Sequence, residues 1–187
     1  YEVLQTATQS EQQELALSSK YVSWVRRLQK LGKDPREIVF NTPEQGMEQS
    51  YQEIITIFKK LGLKPDNRIF LGSLSYLPSL QQPLLSPAAE HLIERALSDE
   101  PGPLYVVAIG CLTNVVSAIL LAPEIIECIV IVWTAGYPTH SHRSNNSAMN
   151  LHQDLPASRF LFDCGVPIVY LPGFQIGSHL RLSLPEM

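Results

Sequence analysis

Apolar and polar positions along the chain fall into two rhythms that take turns. Over residues 42–63, "TPEQGMEQSYQEIITIFKKLGL", the apolar Met47, Tyr51, Ile54, Ile55 and Phe58 recur at three- and four-residue intervals. That is the period of a helix with one apolar stripe. Residues 10–31 carry the same rhythm through Leu15, Tyr21, Val22, Val25 and Leu28. Ser10 is placed to cap that helix and Gly32 to end it. Against these stand short runs with no polar face, "LYVVAIG" (104–110) and "CIVIVWTAG" (128–136). Such runs read as strands buried on both faces. "REIVFN" (36–41), "RIFLGS" (68–73) and "PIVYLPG" (167–173) predict three more strands, and Val3-Leu4 a short first one. Ser86-Pro87 open a helix with Glu90 near the capping-box position. "TNVVSAILLAP" predicts a helix stopped near Pro123, and "QDLPASRFLFDCG" another that Asp154 would cap. The Pro/Ser-rich 74–87 and the polar 140–149 read as loops.

Strands alternate with helices throughout, so the expected class is α/β: a Rossmann-like open, mostly parallel sheet with helices on both faces. No internal repeat or low-complexity tract marks a second domain, and residues 1–187 read as a single domain. In such sheets ligands bind beyond the carboxyl ends of the strands. The segments to search are therefore 5–12, 40–47, 72–80, 110–114, 134–150 and 172–179.

Composition narrows the function classes. Of 187 residues, 45% are hydrophobic and only 17% charged, so apolar surface is expected on the outside. The formal net charge of -4 gives no basic footprint and argues against nucleic acid as a partner. The longest apolar stretch, "YVVAIGCLTNVVSAILLA", is interrupted by Gly110, Thr113, Asn114 and Ser117, which argues against a membrane span. The first residues do not read as a basic n-region followed by an apolar core, and a cytoplasmic location is expected. Cys111, Cys128 and Cys164 are odd in number and widely spaced, as buried reduced thiols would be. His140 and His142 in "THSHR" have no third ligand at helical spacing and read as a solvated loop.

Two segments carry more than fold. "AIGCLTNVVSAILLAPEI" has Gly110 ending a strand and Thr113-Asn114 opening a helix. "NLHQDLPASRFLFDCGVPIVYLP" follows the strand "VIVWTAG". Together they resemble the inosine/uridine-preferring nucleoside hydrolases. That family has a G-P-L-T-N turn, a strand ending in M-G-G, and E-F-N-x-x-x-D-P-x-A-A before a helix and a G-V-P strand. The counterparts here are "GCLTN", "TAG" and "AMNLHQDLPAS". "EQGMEQSYQEI" and "FLGSLSYLP" with "SPAAEHLIERAL" resemble a bacterial branch of the same family. The matches run in order over nearly the whole chain.

The resemblance implies hydrolysis of the N-glycosidic bond of a ribonucleoside to ribose and free base, with one Ca²⁺ beside the ribose. Calcium asks for six to eight hard oxygen ligands, mostly carboxylates. The family supplies them chiefly from D-x-D-x-x-x-D-D at the first strand–helix junction, and one of those aspartates activates the attacking water. Here the four places fall on Gln5, Ala7, Glu11 and Gln12, so only Glu11 keeps a carboxylate. Shifting the register by one residue brings in Gln13 and Glu14 and restores nothing. Calcium is therefore expected not to bind, and activity to be impaired or lost, since a positioned base alone contributes roughly 10²–10⁴ in rate. The alternative is a non-catalytic nucleoside-binding or protein-interaction module on the same fold.

Other matched positions survive. Thr113 keeps the backbone carbonyl that the family offers to its metal. Asn150 matches the Asn of E-F-N, which binds ribose hydroxyls, although the neighbouring Glu is replaced by Ala148. Asn41, at a strand end, is a second candidate for substrate. Asn114 reads as a brace for its turn. The expected ligand is a ribonucleoside or ribose-like small molecule. A homo-oligomer is compatible with the resemblance, and the family pattern implies a domain that is incomplete at Met187.

Overall fold

The computed structural model describes residues 26–27, 29–32, 42–140, 148–174 and 176–180. They belong to two compact units, residues 1–75 and 76–187, and each is described by itself. The elements expected at Val3-Leu4, over most of 10–31, and at 36–41 lie outside the described residues.

In the first unit, residues 26, 27, 29 and 30 are helical, and the chain turns at Leu31 and Gly32. Gly32 sits at φ +68°, where a side chain would be strained, and its N–H donates to the Gln29 carbonyl at 3.0 Å. The expected end of that helix is where the glycine puts it. Helix α1 (Pro43–Lys60) begins as its first residues require. The Thr42 hydroxyl accepts the Gln45 N–H at 3.2 Å, Pro43 loses no helical bond in the first turn, and Lys59 and Lys60 face the negative end of the dipole. Met47, Tyr51, Ile55 and Phe58 form its half-buried stripe, while Ile54 lies to one side and is exposed. The strand expected over 68–73 is not formed. Asn67 turns at φ 57° just before it, and among the described residues no strand offers it a ladder.

The second unit holds helix α2 (Pro87–Ala96), strand β1 (Leu104–Ala108), helix α3 (Thr113–Leu121) and a 3₁₀ turn (Pro123–Glu127). Strand β2 (Ile129–Thr134), helices α4 (Met149–His152) and α5 (Leu155–Asp163), strand β3 (Ile168–Leu171) and a 3₁₀ turn (Gly177–His179) follow. The strands are parallel in the order β1-β2-β3, with Val106 opposite Ile131 and Trp133 opposite Tyr170. The α/β class and parallel sheet expected from the alternation are what the chain adopts.

Register decides the core. Leu104, Val106, Ala108, Ile129, Ile131, Trp133, Ile168 and Tyr170 share one face of the sheet. That face packs on Leu112, Val116 and Ile119 of the α3 segment and on Ala157 and Leu161 of α5. Trp133 is fully buried, with its ring 5.9 Å from Phe162 and 6.2 Å from Tyr170, and its indole N–H donates to the Gly110 carbonyl at 3.0 Å. The polar atom of a buried tryptophan thus ties β2 to the turn after β1. On the other face Tyr105, Val107, Val169 and Leu171 are exposed, and Val130 and Val132 half-buried. The expectation of strands buried on both faces is approached only at β2, the strand with a neighbour on each side.

The helix expected from Gln153 forms as α5, and the short α4 before it was not expected. Asp154 takes a non-helical φ of -134° and caps a fresh helix whose second residue is Pro156, which has no N–H to continue an earlier one. The short α4 ends before it.

Candidate functional site at the carboxyl ends of the strands

The exits of β1 and β2 are held together by one side chain. The Asn150 amide nitrogen donates to the Ile109 carbonyl at 3.0 Å and to the Thr134 carbonyl at 2.8 Å. A carboxamide NH₂ has two donors, and both are used on the ends of adjacent parallel strands. The two carbonyls fix which branch of the amide is nitrogen and leave Oδ1 on the opposite branch. The Asn150 amide nitrogen is thus spent on the two strand ends.

Behind it lies a buried carboxylate. Asp154 is 1% exposed. Its Oδ1 accepts the Ala157 N–H at 3.0 Å, and its Oδ2 accepts the Leu77 N–H at 2.9 Å and the Thr113 hydroxyl at 2.5 Å. Three uncharged donors thus hold one carboxylate, and they come from the loop before α2, the start of α3 and the start of α5. The cap expected at Asp154 is present. The links to Leu77 and Thr113 had no local signal, because those partners are 77 and 41 positions away.

Thr113 opens α3, and its single hydroxyl proton goes to Asp154. Its carbonyl lies in the first helical turn, where the α-helical ladder calls on it. The Cys111 sulfur stands 3.7 Å from the same hydroxyl oxygen. Burial, aided by the nearby Asp154 charge, pushes the Cys111 thiol above its ordinary range, so this sulfur stays protonated and is a poor nucleophile. Asn114 links two helix starts: its Oδ1 accepts the Ser86 hydroxyl at 3.0 Å, and the Ser86 oxygen accepts the Ala89 N–H at 3.2 Å.

On the β3 side the exits are joined by aromatics. After β2 the chain runs Ala135, Gly136, Tyr137, and after β3 it runs Pro172, Gly173, Phe174. The rings of Tyr137 and Phe174 stack with centroids 4.4 Å apart and planes 20° from parallel. The Phe174 N–H donates to the Gly136 carbonyl at 3.0 Å, and the Tyr170 hydroxyl to the Tyr137 carbonyl at 3.2 Å. Gly136 takes φ +54°, which lets β2 turn sharply into this contact. Sequence reasoning missed the pair. Its signal was faint: an aromatic one residue after a glycine at two strand exits.

Gln5, Ala7, Glu11, Gln12 and Asn41 lie outside the described residues, as does His142. Among the described residues no three His, Cys, Asp or Glu side chains stand together as a metal site. Also among them, no helix is long and apolar enough to cross a membrane.

No family model matches the chain. Probable uridine nucleosidase 2 of Arabidopsis thaliana is 29% identical over 101 residues, covering 53% of this chain and 31% of that protein. An uncharacterized protein of Schizosaccharomyces pombe is 26% identical over 87 residues, covering 46% of this chain and 28% of the other. The matched region thus spans under a third of the length of either curated relative. Among solved structures, an inosine-uridine preferring nucleoside hydrolase from Bacillus anthracis superposes with a TM-score of 0.47 at 21% identity, over 74% of this chain and 43% of that one.

Proposed function

We propose that this chain is a nucleoside hydrolase-like protein that binds a ribonucleoside beyond the carboxyl ends of its sheet and hydrolyses it poorly or not at all. One observation carries the reading. The segments with the resemblance, around Gly110–Asn114 and around Asn150–Asp154, lie some forty positions apart and are bonded directly, Thr113 to Asp154 and Asn150 to the Ile109 carbonyl. The likeness to a probable uridine nucleosidase supports the same substrate class.

In this reading a ribose hydroxyl donates to Oδ1 of Asn150, whose NH₂ is already committed to the two strand ends. Hydrolysis also needs a group to take a proton from water and a field to stabilise the oxocarbenium-like sugar. Asp154 does not supply either, because it is buried and filled by three donors. By resemblance those duties fall at Gln5, Ala7, Glu11 and Gln12, where only Glu11 keeps a carboxylate to take the proton and the other three offer a neutral amide or a methyl. Among the described residues no three His, Cys, Asp or Glu side chains stand together, and the four motif positions that resemblance assigns to calcium lie outside them, so no step is routed through the ion.

The test pairs binding with turnover on the purified chain. Uridine and inosine should bind by titration calorimetry, with free-base release at least about 10²-fold below that expected with a positioned base. Asn150→Ala should abolish the binding while the fold, read by circular dichroism, persists. A chain that binds neither nucleoside sinks the reading, and rapid base release sinks the part that concerns lost chemistry.

A further inference from the structure

We propose that the Tyr137–Phe174 pair is a stacking shelf for a flat heteroaromatic ring, the base half of the ligand whose sugar half meets Asn150. This rests on the nucleoside reading above and adds to it a residue-level base site. Three observations carry it.

The first is placement. Asn150 grips the Thr134 carbonyl on the β1 side of the β2 exit, and Phe174 grips the Gly136 carbonyl on the β3 side. The two candidate ligand groups therefore flank four consecutive residues, Thr134–Tyr137, beyond the carboxyl ends of parallel strands. The second is geometry. The rings lie 4.4 Å apart and 20° from parallel, in a stack. Phe174 is 39% exposed, so part of a large apolar ring reaches solvent at the strand exits. The third is rigidity. The Phe174 N–H bond to Gly136 and the Tyr170 hydroxyl bond to the Tyr137 carbonyl hold the backbones of both ring-bearing residues. A shelf fixed in advance loses little entropy when a third ring settles on it. Purines and pyrimidines both have π-faces, so the shelf takes either and selects for flatness rather than for an edge pattern.

The experiment uses the full chain and four probes: inosine, uridine, D-ribose and hypoxanthine, with affinity read by titration calorimetry. Phe174→Ala should weaken inosine by roughly 5- to 100-fold, the range of one base–aromatic stack, and leave ribose unchanged. Phe174→Tyr should bind as the parent does. Where Phe174→Ala fails to fold, Phe174→Leu keeps apolar bulk without the ring, and the same selective loss is expected. Unchanged inosine affinity in these variants overturns the shelf, and so does an equal loss for inosine and ribose. Hypoxanthine binding that is lost in Phe174→Ala, with no binding of ribose or nucleosides, upholds the shelf and ends the nucleoside reading. Ribose and inosine binding that is indifferent to Phe174 does the reverse. A parent chain that binds neither inosine nor hypoxanthine overturns both.

Discussion

At the scale of single residues, Asp154 is where sequence and structure diverge most usefully. A cap at "DLP" is legible because a short acceptor before a proline-bearing first turn is what a helix start needs. That the same carboxylate also takes the Leu77 N–H and the Thr113 hydroxyl was not legible, because side-chain reach across the fold leaves no trace in local pattern. The consequence is large. Asp154→Ala removes a cap and strands two further donors in a site that is 1% exposed, and each stranded donor costs about 1–3 kcal/mol. The expected destabilisation is about 3 kcal/mol or more, read as a lower urea midpoint at constant m. Thr113→Val removes one donor only and should cost about 1–2 kcal/mol. Cys111 gives a pH signature. Its folded thiol titrates above the ordinary thiol range of about 8.5, and the unfolded thiol within it. Above pH ~8.5 the folded state therefore holds more protons than the unfolded one, and stability falls as pH rises further. Below that range both thiols are protonated, and the contribution is fully present. Cys111→Ala should flatten the alkaline decline in unfolding free energy. A decline identical to the parent's would refute the assignment to this thiol. The burial-raised Tyr170 hydroxyl adds a decline of the same sign at higher pH.

At the scale of elements, local chemistry and tertiary context can be separated. Thr42, Ser86 and Asp154 start their helices where side-chain acceptors and prolines predict, because capping is satisfied within three residues. Strands behave otherwise. "RIFLGS" and "LYVVAIG" both read as strands from pattern, yet only the second is one, because a ladder needs a neighbour that sequence does not name. Ser86 ties the two levels together. Its oxygen caps α2 through Ala89, while its proton goes to Asn114 at the start of α3. Ser86→Ala should therefore cost more than a simple cap, about 1–2 kcal/mol, because it also takes a partner from Asn114. Ser86→Thr keeps both bonds in principle and should recover most of the loss. Thermal melts of the three chains decide the point: a Ser86→Ala midpoint equal to the parent's would show that neither bond stabilises the fold.

At the scale of the whole molecule, alternation was enough for a parallel α/β sheet but not for its coverage. Val107 and Val132 have the same chemistry, yet one is exposed and the other half-buried, because β1 has one strand neighbour among the described strands and β2 has two. The candidate site inherits this split. Asn150 was a sequence candidate because it stands in a patterned segment, while Tyr137 and Phe174 meet only through the fold. The acidic motif, by contrast, is placed by resemblance alone, and its proposed replacement by Gln5, Ala7 and Gln12 makes a prediction. A ligand that binds only the folded state stabilises it by RT ln(1 + [L]/Kd). With 1 mM Ca²⁺, a site of micromolar Kd would add about 4 kcal/mol, whereas one of 10 mM Kd or weaker would add less than about 0.1 kcal/mol. The chain is expected in the second regime, with melting midpoints that coincide in calcium and in chelator. A midpoint several degrees higher in calcium would mean that carboxylates elsewhere rebuild the site, and the proposed loss of hydrolysis would fall with it.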